Sequence, residues 1–213
     1  MNNGALFLLQ PIMLRLLFIL LSFLFLSADK VVPIRVAYHI DEKSQLFLLG
    51  STNVNTFKCD CKDKFQPAIL EGDINPSTRL IKFKNARLRV KTKLLSCRNN
   101  VMNRDMHKAL KADEFPFITV DMLNALPQHN EKEMQPGKVY NYNVNTTISI
   151  AGISKAQLIN VKMMRTKDNL YRLTASKDIL MSEYEIRPRT PFNIIKIDDL
   201  ISIHFELLVN AGN

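Results

Sequence analysis

The residues best suited to acid–base chemistry lie in one short segment of the chain. Asp105 and His107 are two residues apart in a stretch whose pattern predicts a helix over residues 104–112. Side chains two apart on a helix do not face each other, so the pair does not form a catalytic dyad. The sequence also has no Gly-x-Ser-x-Gly turn, phosphate-binding loop or His-Glu-x-x-His motif. We therefore predict that the protein is not an enzyme and that it has no cofactor.

Three cysteines can form one disulfide in an oxidising compartment. Cys59 and Cys61 alternate on one predicted strand and point to the same face, so a bond between them would strain the strand. Either can pair with Cys97, and we favour Cys59–Cys97 with Cys61 left as a free thiol. The alternative is three unpaired buried thiols, because cysteine is often buried without a partner. No histidine lies near them at ligand spacing, so zinc is not expected.

The N-terminus is typical of an export signal. An apolar run over residues 16–26 follows Arg15 and ends in the small residues Ser27 and Ala28. The run is shorter than the roughly 20 apolar residues that a membrane-spanning helix needs. We predict a signal peptide over residues 1–28 and one domain over residues 29–213, in the periplasm or secreted. An uncleaved membrane anchor is the alternative.

The composition argues against nucleic-acid binding. The chain has 213 residues and a net charge of +9, but its lysines and arginines are scattered and it contains no tryptophan. Nucleic-acid-binding surfaces usually show a basic stripe or patch. A spread positive charge is better suited to weak, transient contact with anionic membrane surfaces.

Most of the predicted domain shows the periodicity of β-strands. The clearest segment is residues 81–96, where Leu88, Val90, Thr92 and Leu94 alternate with lysines and arginines. Such alternation predicts an antiparallel strand with one face in water. The other predicted strands are residues 31–40, 46–50, 53–61, 117–125, 140–151, 157–165, 170–181 and 200–209. About eight strands with one helix fit either a sandwich or a closed barrel.

The predicted helix and the residues after it resemble a segment of the YceI family, lipocalin-like barrels that bacteria export and that hold a polyisoprenoid or a similar long lipid. In that family a helix of the type Arg-Asp-x-His-Leu precedes an aromatic residue, a proline and the next strand. The residues at matching places are Arg104, Asp105, His107, Phe115 and Pro116. Lys108 stands where the family usually carries leucine.

Three further segments resemble the same family in the same order. Residues 148–155 resemble a strand that meets a Gly-(Val/Ile)-(Thr/Ser)-Lys corner, and residues 199–206 resemble the closing strand. Residues 181–186 resemble a segment in which Glu185 replaces the family's glycine. The segments keep the family's order and spacing across roughly residues 35–209. The resemblance favours an all-β fold, an antiparallel eight-stranded lipocalin-like barrel with one short α-helix.

Strand alternation points one set of apolar side chains inward, and the resemblance implies that they line a lipid cavity. This set is Leu46, Leu48, Phe57, Leu88, Val90, Ile118, Val120, Ile148, Ile150, Ile159, Val161, Ile201, Ile203 and Phe205. The alternative is a packed core, which sequence alone does not separate from a hollow one. Arg104 on the helix, or Lys108 or Lys111, is expected to meet a lipid head group at the mouth; the alternative is that these residues form a solvated face of the helix.

The resemblance therefore implies an exported lipid-binding protein that carries or sequesters a polyisoprenoid or a similar long-chain amphiphile. The expected partner is the lipid, with transient membrane contact, and a dimer is one option for the oligomeric state. The alternative function is an envelope interaction or stress protein whose barrel is packed and binds no lipid. The departures at Lys108 and Glu185 keep this alternative open, because both residues lie near the expected mouth.

Overall fold

The computed structural model describes residues 30–131, 133–166, 169–188 and 195–212. The predicted signal peptide, residues 1–28, lies outside these ranges. Within them the chain forms one α-helix, α1 (Asn100–Ala109), and twelve strands. The strands are β1 (Val32–Ile40), β2 (Gln45–Thr52), β3 (Thr56–Cys61), β4 (Ala68–Ile74), β5 (Ile81–Phe83), β6 (Arg87–Lys91), β7 (Leu95–Ser96), β8 (Phe117–Pro127), β9 (Val139–Ile150), β10 (Ile153–Arg165), β11 (Leu170–Leu180) and β12 (Ile197–Gly212). In the described part of the chain, no helix is long and apolar enough to cross a membrane.

Eight of the strands close into a ring, which confirms the predicted barrel. The order around the ring is β1, β4, β5, β8, β9, β10, β11 and β12, and β12 pairs back onto β1. Every pairing is antiparallel. Closure leaves the sheet with no free edge along the ring, and inward side chains from all sides face a shared interior.

The remaining four strands extend the wall where longer strands are interrupted. β1 and β2 follow one another along the same edge of β12, through the pairs Ile40–Val209 and Gln45–Glu206. In the same way β3 pairs with β2 and β4 pairs with β1, while β5 and β6 both pair with β8. The wall therefore has eight strand positions, three of which are filled by broken strands.

The prediction of one continuous strand over residues 81–96 was wrong. The segment breaks into β5, β6 and β7, with a 3-10 helix at Thr92–Leu94 before β7. That turn shifts the alternation by one residue, so Leu95 is buried (2% exposed) and Leu94 is only half-buried. The sequence prediction also missed β4, because its Ala-Ile-Leu-Glu-Gly-Asp-Ile sequence does not alternate.

The helix was predicted at residues 104–112 and is found four residues earlier at its start. Asn99 caps it, since its side-chain oxygen accepts a hydrogen bond from the backbone N–H of Met102 at 3.0 Å. Asparagine is among the preferred residues at this position. At the other end, Lys111 adopts a positive φ of 50°, and the N–H of Ala112 bonds to the carbonyl oxygen of His107 at 2.9 Å.

The segments that resemble the YceI family meet at one end of the barrel, which we name the helix end. The β9–β10 turn has positive φ at both Ala151 and Gly152. A Cβ atom at Gly152 would lie 2.5 Å from the ring of Phe115, so the ring packs directly on this glycine. The Thr92 hydroxyl donates to the carbonyl oxygen of Phe115 at 3.0 Å. These contacts fix the chain that leaves α1 against the barrel wall.

The opposite end of the barrel is closed by a polar cluster and a buried tyrosine. The Arg79 guanidinium donates to the carbonyl oxygens of His129 and Glu131. The buried Tyr140 hydroxyl accepts a hydrogen bond from the N–H of Gln135 at 2.9 Å. The hydrogen bond from the Lys138 ammonium is the largest cause that lowers the pKa of Glu131 to about 2. These contacts hold residues 128–131 and 133–138 at this end.

Candidate ligand cavity

The barrel encloses a cavity of about 950 Å³ whose walls are almost entirely apolar. This volume is at the upper end of the range of about 300–1,000 Å³ found for small-molecule sites. All fourteen predicted inward residues border it: Leu46, Leu48, Phe57, Leu88, Val90, Ile118, Val120, Ile148, Ile150, Ile159, Val161, Ile201, Ile203 and Phe205. The structure therefore brings the predicted set together around a hollow interior. Their contact with a lipid stays a prediction.

Helix α1 forms part of the cavity wall at the helix end. Val101, Met102, Met106 and Ala109 border the cavity, and none of the helical residues is fully buried. Methionine is flexible and adapts to irregular apolar surfaces. The helix thus covers the cavity with side chains that can adjust to an occupant.

A disulfide and two side-chain hydrogen bonds attach α1 to the barrel. The disulfide joins Cys59 on β3 to Cys97, two residues before the helix cap, and this is the favoured pairing of the sequence analysis. The N–H of Cys97 donates to the Asn103 side chain at 2.6 Å. His107 Nε2 lies 3.0 Å from the carbonyl oxygen of Leu95, so it carries the proton and donates. His107 therefore anchors the helix.

Cys61 is the free cysteine and is half-buried. Burial is the largest cause that raises the pKa of its thiol above the usual value. A thiol with a raised pKa carries little thiolate near neutral pH and reacts slowly. Across the described residues, no group of three or more His, Cys, Asp or Glu side chains is placed to hold a metal ion.

Arg104 does not border the cavity, contrary to the expected position at its mouth. Its side chain is largely exposed, and its Nε lies 3.3 Å from Oδ1 of Asp105. The methionines of α1 occupy the cavity face, so the basic side chains Arg104, Lys108 and Lys111 fall outside the set that borders the cavity. The helical spacing of Met102, Met106 and Ala109 in the sequence was the signal for this cavity-facing side of the helix.

Lys177 borders the cavity and was missed by the sequence analysis. It lies on β11 at the same alternation as Leu173 and Ile179, which also border the cavity. The signal was present in the sequence, since Lys177 is the one charged residue in an otherwise apolar or aromatic inward register. A lysine on a strand is usually assigned to the solvent-facing side. For that reason the inward alternation of Leu173 and Ile179 was not extended to Lys177.

The helix end carries an exposed apolar rim, which we define as Val54, Val101 and Ile195. These side chains are 66%, 48% and 41% exposed. Val101 and Ile195 also border the cavity. The β2–β3 hairpin that carries Val54 is tied to residue 196 by a hydrogen bond from the N–H of Asn53 to the carbonyl oxygen of Lys196 at 3.0 Å. Apolar side chains therefore surround the place where the cavity approaches solvent.

No protein-family model matches the chain. No curated protein matches it significantly either. These two sequence comparisons therefore assign the chain to no family.

Solved structures with the same fold do exist. One is a polyisoprenoid binding domain from Saccharophagus degradans implicated in plant cell wall breakdown, with a TM-score of 0.62 and 15% identity over 83% of this chain and 99% of that one. Burkholderia cenocepacia BcnA matches with a TM-score of 0.58 and 15% identity over 79% of this chain and 98% of that one. Campylobacter jejuni YceI protein matches with a TM-score of 0.53 and 16% identity over 74% and 86%. The resemblance to YceI proteins is confirmed at the level of the fold.

Proposed function

We propose that this protein binds a polyisoprenoid or a similar long-chain amphiphile inside its barrel and acts as a carrier or sequestering protein. The observation that carries the proposal is the apolar cavity of about 950 Å³. The Saccharophagus structure of the same fold is described as a polyisoprenoid binding domain, which supports the same ligand class here.

The energy of the cavity supports an apolar occupant. Side chains that line an unfilled apolar cavity lose the dispersion contacts that a filled interior provides. Water is a poor filling, because a buried water needs about three hydrogen-bond partners and these walls offer few. A hydrocarbon chain gains about 0.8 kcal/mol for each CH₂ group that it buries.

The surroundings of the cavity support binding without a reaction. His107, the best candidate for acid–base chemistry, donates to the Leu95 carbonyl oxygen on the barrel. Hydrocarbon walls recognise a chain by its length and curvature. We infer that the main selectivity of the site is for chain shape.

We infer that residues 1–28 direct export, to the periplasm or the medium. The Cys59–Cys97 disulfide supports this location, because disulfides persist in oxidising compartments and are rare in the cytosol. We also infer transient contact between the apolar rim and a membrane surface, since a long-chain lipid is drawn from or returned to a bilayer. Val54, Val101 and Ile195 would contact the acyl region during that exchange.

Extraction of the purified protein into organic solvent, followed by mass spectrometry, tests the proposal. We expect a long-chain isoprenoid or similar lipid in near-stoichiometric amount. A second arm offers polyprenol-containing vesicles to lipid-stripped protein and measures uptake. If the extract contains no lipid and the stripped protein takes none up, the carrier proposal is wrong and the envelope-interaction alternative becomes the better one.

A further inference from the structure

Among the described residues, one charged side chain borders the cavity without a counter-charge. The charged residues of the described cavity wall are Arg87, Asp105 and Lys177. Arg87 pairs with Asp121, and Asp105 pairs with Arg104 at 3.3 Å. Lys177 has no ion pair or hydrogen bond to any side chain in the described ranges. The half-buried Lys177 therefore brings to the apolar cavity wall a positive charge that no described side chain balances.

The register of β11 places Lys177 on the inside of the wall. Leu173 and Ile179 have the same alternation and border the cavity, whereas Asp178 is exposed. Directly opposite on β12 is Ile203, another residue of the cavity wall. The lysine stem thus lies among apolar neighbours with no acidic residue across the strand pair.

Lys177 lies close to the helix end, where a head group would be held. It is three residues before Leu180, the last residue of β11, and three residues of strand span about 10 Å. The pairing of β11 with β10 ends at Thr174, so the wall beside Lys177 is held by β12 alone. A flexible lysine stem can move its ammonium group along this part of the wall.

The chemistry of an unpaired ammonium selects an acidic partner. Burying a charge costs free energy unless it is paired and hydrogen-bonded. Carboxylate and phosphate oxygens make strong, charge-assisted hydrogen bonds to lysine. We propose that Lys177 binds the carboxylate or phosphate head group of an amphiphile whose chain fills the cavity. This inference rests on the proposed lipid-binding function and adds the class of head group.

Four ligands with one chain and different head groups test the inference. Dodecanol, dodecanoate, dodecyl phosphate and dodecyltrimethylammonium are titrated into lipid-stripped protein. We expect the two anions to bind about tenfold or more tightly than dodecanol, because a hydrogen bond to a charged group contributes about 1.5–3 kcal/mol and 1.4 kcal/mol is tenfold. The cation should bind most weakly. Inorganic phosphate should not displace dodecyl phosphate, because the chain supplies most of the affinity.

Two variants assign the preference to this lysine. Lys177→Met keeps an unbranched stem and removes the charge, so it should bind dodecanol normally and lose the preference for anions. Lys162→Met removes an exposed lysine from β10 and gives the same net charge, and it should keep the preference.

The outcomes separate this inference from the proposed function. If none of the four ligands binds, the head-group inference is wrong, and the proposed function is wrong as well if the stripped protein takes up no polyprenol. If all four bind wild-type protein equally, lipid binding stands and the head-group inference is overturned. It is also overturned if Lys177→Met weakens all four ligands equally, which would indicate a packing role, or if inorganic phosphate displaces dodecyl phosphate, which would indicate a free-anion site.

Discussion

At the scale of single residues, each wall strand has positions that face the cavity and positions that face solvent. Ile148 borders the cavity and is 3% exposed, while Leu158 on the next strand points outward and is 53% exposed. Both side chains are apolar and of similar size, so the same substitution at the two positions differs mainly in whether it faces the cavity or solvent. This pair allows a direct test of whether the interior is hollow.

Replacing Ile148 by Trp should block ligand uptake and leave the fold largely intact. The larger ring would occupy space that a lipid otherwise fills, whereas in a packed core it would cost about 1–3 kcal/mol. Lipid extraction and thermal unfolding measure the two effects, and Val120→Trp should behave in the same way. Leu158→Trp is the matched control and should change neither lipid content nor stability. A sharp loss of stability in Ile148→Trp, from a parent that carries no lipid, would favour a packed interior.

Gly152 should tolerate alanine less well than Gly137. Both have positive φ, of 86° and 78°, so alanine costs roughly 1 kcal/mol or more at either position. A Cβ atom at Gly152 also meets the Phe115 ring at 2.5 Å, whereas Gly137 has open space. We expect Gly152→Ala to lose a further 1–3 kcal/mol, about the cost of overpacking. Urea unfolding measures the difference, and equal losses would show that the Phe115 contact contributes nothing.

Individual residues also show what the sequence could predict about the site. The inward positions on the strands were predictable because strand alternation is a local property of the chain. Whether those side chains meet or leave a cavity depends on the diameter of the closed barrel, which no local pattern records. Lys177 is a third case. Strand alternation was sufficient to predict its inward position, but a lysine is not expected on the inward face of a barrel strand.

At the scale of elements, α1 depends on its attachments because it buries no residue completely. The helix begins after the Asn99 cap. The predicted start at Arg104 was placed instead from the resemblance to the YceI helix and from the apolar spacing of the later residues. β4 was missed because its sequence does not alternate, and its place in the wall comes from pairing with β1, which is distant in sequence. The errors in the predicted elements thus have three sources: a helix cap, a local turn and a pairing between segments distant in sequence.

Replacing Cys59 and Cys97 together by Ser should destabilise the protein and speed the release of ligand. The two cysteines are 38 residues apart, and closing such a loop contributes about 4 kcal/mol in the chain-entropy account. Without the bond, the segment before α1 loses its covalent link to β3. Urea unfolding and lipid dissociation rates measure the two effects.

Cys61→Ser is the matched control, because Cys61 is the free thiol. It should leave the release rate unchanged. Alkylation of the native protein without reductant should label Cys61 alone. Labelling of all three cysteines would contradict the disulfide and weaken the argument for export.

At the scale of the whole molecule, the cavity makes stability depend on the ligand. A ligand that binds only the folded state stabilises it by RT ln(1 + [L]/Kd), which is about 2.7 kcal/mol at a free concentration of 100 Kd. Stripping the lipid should therefore lower the midpoint of thermal unfolding, and adding it back should restore the midpoint. Differential scanning calorimetry measures this change. An unfolding midpoint that is the same with and without lipid would contradict the proposal that lipid binds in the cavity of the folded protein.

The exposed apolar rim should control the rate at which lipid passes between the protein and a membrane. Val54 is the most exposed of its three residues and does not border the cavity, so a change there leaves the binding walls intact. Val54→Asp should slow uptake from vesicles several-fold, because a charged side chain is costly to place in the acyl region. Affinity for dispersed ligand should stay the same. Leu126→Asp, at the opposite end of the barrel, removes another exposed apolar side chain and should have no effect on transfer. If both variants transfer lipid at the wild-type rate, the ligand passes through water and the rim takes no part in the exchange.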